Sequence, residues 1–148
     1  MSFFQELFSN RVLMVAVAGW FSAQALKVVF TYLLERRWDF GRFFGLGGMP
    51  SSHSSVVCGV AAAVGIQKGF YSVEFAIAFV VACVVMTDAA GVRRAAGRQA
   101  ALLNKLVQDM IASGQGFTYE RLKELLGHTP FEVLMGALLG GLLAVLIM

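Results

Sequence analysis

The chain has 148 residues, of which 58% are hydrophobic and 14% charged, with a mean hydropathy of +0.73. A soluble domain is nearer half apolar and a quarter charged, so the composition excludes an ordinary soluble protein and predicts one domain, residues 1–148, built into a membrane. The net charge of +3 is small, and the chain carries no low-complexity segment, internal repeat or nucleic-acid motif, which removes nucleic acid as a partner.

The first apolar stretch, Val12–Leu34, is long enough to cross a bilayer, which takes ~20 residues, although it contains Gln24 and Lys27. Ala23-Gln24-Ala25 resembles a signal-peptidase site. Apolar sequence nevertheless continues past Lys27, and Glu6 accompanies Arg11 ahead of the stretch, so it reads as a retained span. Ser54–Gln67 and Val73–Ala90 form a short helical hairpin, turning near Lys68-Gly69-Phe70. The segment Arg93–Thr129 is polar. Within it, Leu102, Leu103, Leu106, Val107 and Met110 recur at helical spacing with Arg98, Asn104, Lys105 and Asp109 between them, which predicts an amphipathic helix over Ala95–Ile111. A Gly-containing loop, Ser113–Thr118, and a short helix from Thr118 to Gly127 follow. Pro130–Met148 is the last span, and its Gly136-x-x-x-Gly140 predicts a helix-packing face, within the chain or in a homodimer. Cys58 and Cys83 lie in apolar runs and read as small buried hydrophobes. The expected fold is therefore all-α: a polytopic membrane bundle of about four transmembrane helices plus one amphipathic interfacial helix.

Charge gives the orientation. One side of such a bundle holds Arg11 and Lys68; the other holds Arg36, Arg37, Arg42, Arg93, Arg94, Arg98, Lys105, Arg121 and Lys123. The positive-inside rule puts the second side in the cytoplasm, and the expected location is the membrane of a bacterial-type cell with that face inward.

The polar residues that are costly in a membrane gather at that same face. Gly47-Gly48-Met49-Pro50-Ser51-Ser52-His53-Ser54-Ser55 opens onto an apolar helix. Glycines permit close backbone approach, the proline stops any preceding helix, and serines cap free N–H groups. A helix N-terminus favours an anion, and His53 is a proton carrier beside it. Lys27 lies one to two turns inside the first span. Asp88, Arg93 and Arg94 end the third, and His128 and Glu132 begin the fourth. Ionisable groups at membrane depth usually face a bundle interior or polar cavity. A helix starting near Thr129 or Pro130 sets the Glu132 carboxylate one turn below His128, where it can fix the tautomer and leave the other nitrogen as nucleophile or base. The basic side chains suit the non-bridging oxygens of a phosphoryl group. Asp88 reads as an ion-pair partner for one of these arginines rather than as a Mg²⁺ ligand.

Three blocks carry a family resemblance: Gly47 to Ser54, Asp88-Ala89-Ala90-Gly91-Val92-Arg93-Arg94, and Leu126-Gly127-His128-Thr129-Pro130-Phe131-Glu132-Val133. Together they resemble the divergent PAP2 family, which is related to acid phosphatases and vanadium-dependent haloperoxidases; the resemblance runs from about Gln24 to the C-terminus. It implies a helical membrane phosphatase acting on a phosphate monoester of a lipid, with no metal and no cofactor. By the same resemblance, His128 is the nucleophile, Glu132 its orienter and His53 the general acid. Lys27, Arg37 and Arg121 bind phosphate, and Ser51 and Ser52 donate hydrogen bonds. Arg93 and Arg94 are alternative phosphate ligands that the broader PAP2 pattern does not supply. The chain departs from the broader PAP2 pattern in having Leu34 where an arginine stands, Ser52 for glycine, one extra residue between Arg121 and His128, and Glu132 for aspartate.

The expected partners are membrane lipids and a lipid or polyprenyl phosphate substrate. Two other readings remain open at this point: a non-catalytic membrane protein that binds anionic headgroups or a partner through its basic face, and vanadate-dependent peroxidation, for which the sequence has no specific feature.

Overall fold

The computed structural model describes residues 3–45, 48–113, 122 and 127–148. It is an all-α bundle. A short helix, α1 (Phe3–Ser9), leads into α2 (Arg11–Glu35), which Asn10 caps by accepting from the Leu13 amide. A 3₁₀ turn, Phe40–Phe43, follows, and then α3 (Ser52–Lys68), α4 (Val73–Ala90), α5 (Val92–Ala112) and α6 (Pro130–Ile147). Gly91 alone separates α4 from α5, ending the one and capping the other.

Helix α3 is the centre, packed against α6, α2 and α4. It fills that position with small residues: Ser52, Ser54, Ser55, Gly59, Ala61, Ala63 and Gly65 are all buried. Between membrane helices, association depends on close packing rather than on escape from water, and small residues permit it. A methyl group on Gly136 would strike the Ser51 carbonyl, and one on Gly140 the Ser55 carbonyl and the Gly59 amide. The Gly136-x-x-x-Gly140 face is thus occupied inside the chain, by α3, whereas a methyl group on Gly141 would meet no other described part of the chain within 4 Å.

These contacts also fix directions. Gly136 meets the start of α3, Gly140 its middle, and Ala144 clusters with Ala63 and Val15, so α6 runs parallel to α3. Helix α2 runs antiparallel to α3: Lys27 meets Ser52, Gly19 meets Ser55, and Val15 meets Gly59. Helix α4 turns back along α3, with Phe70 over Gly65 at the turn and Cys58 Sγ 3.5 Å from Met86 Sδ. Cys83 is exposed rather than buried, because α4 turns that face outward.

Three of the described helical stretches are long and apolar enough to cross a membrane: α2, the α4–α5 stretch and α6. Their outward faces carry large apolar side chains such as Ile77, Val84, Leu138 and Leu142. Helix α3 is shorter, at 17 residues. On α5, Gly97, Ala100 and Asn104 form the buried strip, Leu102, Leu103, Leu106 and Met110 lie exposed, and Arg94, Arg98 and Lys105 are also exposed. The short helix expected from Thr118 lies outside the described residues.

The chain between α2 and α3 does not simply cap the bundle. Its 3₁₀ turn folds back along α2, so that Phe43 stands edge-on to Trp20 and Phe21 at 5.7 and 5.6 Å.

Candidate functional site

Two caps bring the chemistry together. Ser51 is the N-cap of α3; its hydroxyl accepts from the Ser54 amide at 3.3 Å and from the Ser54 hydroxyl at 3.1 Å. Thr129 caps α6 in a reciprocal box: its hydroxyl accepts from the Glu132 amide at 3.2 Å, and Glu132 Oε2 accepts from the Thr129 amide at 2.7 Å. The Thr-x-x-Glu spacing before an apolar run signals this box in the sequence, and pairing Glu132 with His128 alone overlooks it. The two caps are joined, because the Ser51 amide donates to the Glu132 carbonyl at 3.0 Å.

His128 immediately precedes the second cap and is 2% exposed. Its amide donates to the Ala89 carbonyl at 2.9 Å, which ties it to the end of α4. Its Nδ1 stands 3.5 Å from Glu132 Oε2, within ion-pair range but beyond a good hydrogen bond. That oxygen is shared with the cap. Burial pulls the His128 imidazole below the usual histidine range, and the neighbouring Glu132 carboxylate opposes the shift. Gly127 makes the approach possible: it adopts φ +85°, and a methyl group there would collide with the backbone of Arg93 and Arg94.

His53, in the first turn of α3, faces His128 across 5.8 Å between ring centroids. Its Nδ1 is buried and has no hydrogen-bond partner among the described residues, as is Nδ1 of His128. Lys27 is 4% exposed, with Nζ 3.4 Å from the Ser52 hydroxyl. These groups line one end of a cavity of about 370 Å³; Gln24 lies beside them, and Trp20, Phe44, Val56, Val57 and Val85 form the apolar remainder. Lys27 also borders a second cavity of about 220 Å³, with Arg42, Glu35 and Glu132 around it.

The remaining candidates separate. Ser51 is fully buried and serves as a cap. Ser52 lies in the cavity wall. Arg93 pairs with Asp88 at 2.7 Å. Arg94 is exposed. Arg37 lies apart from the cavity, bonded to Glu35 at 3.2 Å and facing Asp39 at 3.6 Å. Arg121 lies outside the described residues. Among those described, no group of three His, Cys, Asp or Glu side chains converges as a metal site would require. Sequence reasoning did not pick out Gln24 or the aromatic wall of Trp20 and Phe44, since neither residue type announces a site within an apolar run.

A cavity with two facing imidazoles and a buried ammonium can hold an oxyanion, move a proton and present a ring nitrogen to an electrophile. Comparison with known proteins agrees with the resemblance read from the three blocks. The uncharacterized membrane protein YuiD of Bacillus subtilis (strain 168) is 38% identical over 152 residues, covering 96% of each chain. No solved structure matches. The profile of the divergent PAP2 family matches residues 8–143, which takes in Lys27, both histidines and the cavity walls, and the chain belongs to that family.

Proposed function

We propose that the protein is a membrane phosphatase that hydrolyses the phosphate monoester of a lipid. The observation that carries this reading is the pair of facing imidazoles, 5.8 Å apart, His128 buried and His53 partly so, beside the buried Lys27. Lys27 and the Ser52 hydroxyl hold the non-bridging oxygens, with Arg93 adding positive charge nearby. Glu132 lies toward Nδ1 of His128, which leaves Nε2 to attack phosphorus. The P–O bond to the lipid breaks as His53 gives its proton to the leaving alkoxide. Water then attacks the phosphohistidine, loses a proton to His53 and releases inorganic phosphate, and the P–N bond breaks. Ser51 supports this arrangement as a cap.

In the same reading, the bundle crosses the membrane four times. Helix α3 lies alongside α6 over a comparable length and crosses with it. Helix α5 rests in the interface with its leucines toward the acyl chains and its basic face toward the headgroups. The arginine-rich end, with the site, faces the cytoplasm.

The test is phosphate release from lipid phosphates by purified protein. His128→Ala is expected to reduce turnover to background, and His53→Ala to reduce it by roughly 10²–10⁴-fold, the range for general acid catalysis. Activity retained in both variants would overturn the mechanism. A second reading, anionic headgroup binding without turnover, draws on the exposed Arg94, Arg98 and Lys105 of α5. It predicts tolerance of histidine substitutions and sensitivity to arginine ones.

A further inference from the structure

Gln24 is 5% exposed, and its Oε1 is buried with no hydrogen-bond partner among the described residues. A buried amide oxygen without a donor is costly, and native structures satisfy such groups with protein, water or ligand. The side chain lines the cavity that Lys27, His53 and His128 share.

Its depth gives the unpaired oxygen a meaning. Three residues along a helix are about 4.5 Å, so Gln24 lies nearly one turn further into the bundle than Lys27, and Trp20 lies a turn beyond that. On α3 the same progression runs from Ser52 and His53 to Val56 and Val57. The cavity therefore grades from cationic and hydroxylic, through a single amide, to hydrocarbon. A phosphomonoester lipid seated with its phosphate at Lys27 places its first carbons beside Gln24 and its chain among Trp20 and the valines.

The geometry points to Gln24 as a specificity-determining residue that accepts a hydrogen bond from a hydroxyl on the carbon next to the phosphoester carbon of the lipid. The seating rests on the phosphatase reading for the position of the phosphate. A 1-acylglycerol 3-phosphate carries such a hydroxyl. A polyprenyl phosphate has none and sets hydrocarbon against the amide. Sites built to bond a hydroxyl discriminate strongly against analogues that lack it, because their own polar group is then left unpaired.

The experiment compares 1-acylglycerol 3-phosphate with its 2-deoxy analogue of the same chain length. Equilibrium binding to the purified protein in detergent and phosphate release are both measured. The wild-type protein is expected to prefer the hydroxylated lipid by roughly tenfold or more. Gln24→Leu is expected to bring the two lipids within about twofold by lowering only the response to the hydroxylated one. Gln24→Met, which keeps the side chain's length, gives the same comparison with less disturbance to packing.

A preference that appears in binding and vanishes in both variants supports the inference even without turnover, in which case the phosphatase reading alone falls. Turnover with no preference in the wild-type protein, or with a preference that survives in both variants, overturns the role of Gln24 and leaves the phosphatase reading standing. Binding of neither lipid overturns the role of Gln24, while phosphate release from another lipid phosphate decides the phosphatase reading.

Discussion

Ser51 donates its amide to the carbonyl oxygen of Glu132 at 3.0 Å, and through that bond the N-cap of α3 is fastened to the first turn of α6. His53 follows the first of these residues and His128 precedes the second. Relative placement of the two imidazoles therefore depends on backbone, not on flexible side chains. Close packing of α6 on α3 keeps the bond in place.

That packing predicts a contrast between neighbouring glycines. Gly140→Ala drives a methyl group into the Ser55 carbonyl and is expected to lower stability in detergent by about 1–3 kcal/mol, the usual cost of overpacking. Gly141→Ala has open space around it and is expected to be neutral. Thermal unfolding of the two variants checks this, and equal losses would show that α6 is not seated on α3 through this face.

Gly127→Ala is expected to separate activity from assembly. The new methyl group collides with the Arg93–Arg94 backbone at a position where φ is +85°, and the residue it displaces is His128. Turnover should fall at least tenfold while the helix content, read by circular dichroism, stays within error. Such a loss is the scale expected when a reacting group moves by about 1 Å.

Removing the carboxylate at Glu132 has a definite sign. In the proposed mechanism His128 attacks as the neutral imidazole, so kcat/KM is expected to rise with pH through the pKa of this group, which burial holds below the usual histidine range. Glu132 opposes that depression by stabilising the imidazolium. Glu132→Gln is therefore expected to move the acid limb further down in pH relative to wild type, along with a loss of cap strength. An acid limb that moves up, or stays fixed, contradicts the role given to His128.

The arginines divide by what they already hold. Among the described residues Arg37→Ala breaks contacts with Glu35 and Asp39 on an exposed surface, and it is expected to change turnover by less than about twofold, since exposed ion pairs contribute little. In the proposed mechanism Arg93→Ala removes a positive charge near the phosphate, and it is expected to lower kcat/KM by roughly tenfold or more. The two variants assayed side by side give the comparison, and a larger effect from Arg37 would reverse the assignment.

The helices were legible because apolar length and cap residues are local signals. Val12–Leu34, Val73–Ala90 and Pro130–Met148 are each matched within one or two residues, and Ser51 and Thr129 mark two starts. The nearness of His53 to His128 was legible only in outline, as two ionisable groups at one end of a bundle. What could not be read was the sorting of side chains of the same type. Arg37 and Arg93 look alike in a sequence; the acidic residue each one meets depends on how the chain turns after α2 and after α4. Gln24 is equally silent, because a polar residue in an apolar run is defined by what surrounds it in space.

The antiparallel α3–α4 hairpin makes the meeting of the histidines a matter of parity. The chain leaves His53 along α3 and comes back along α4 until Ala89 receives the amide of His128. One outward and one homeward leg return it to its starting level; α5 departs from there, and the bond to Ala89 holds His128 at that same level, from which α6 sets out parallel to α3. Adding or removing a single leg would deliver His128 to the opposite end of the bundle, about 25 Å away for a helix of α3's length. Loop lengths and even helix lengths can drift without that consequence; the evenness of the count cannot.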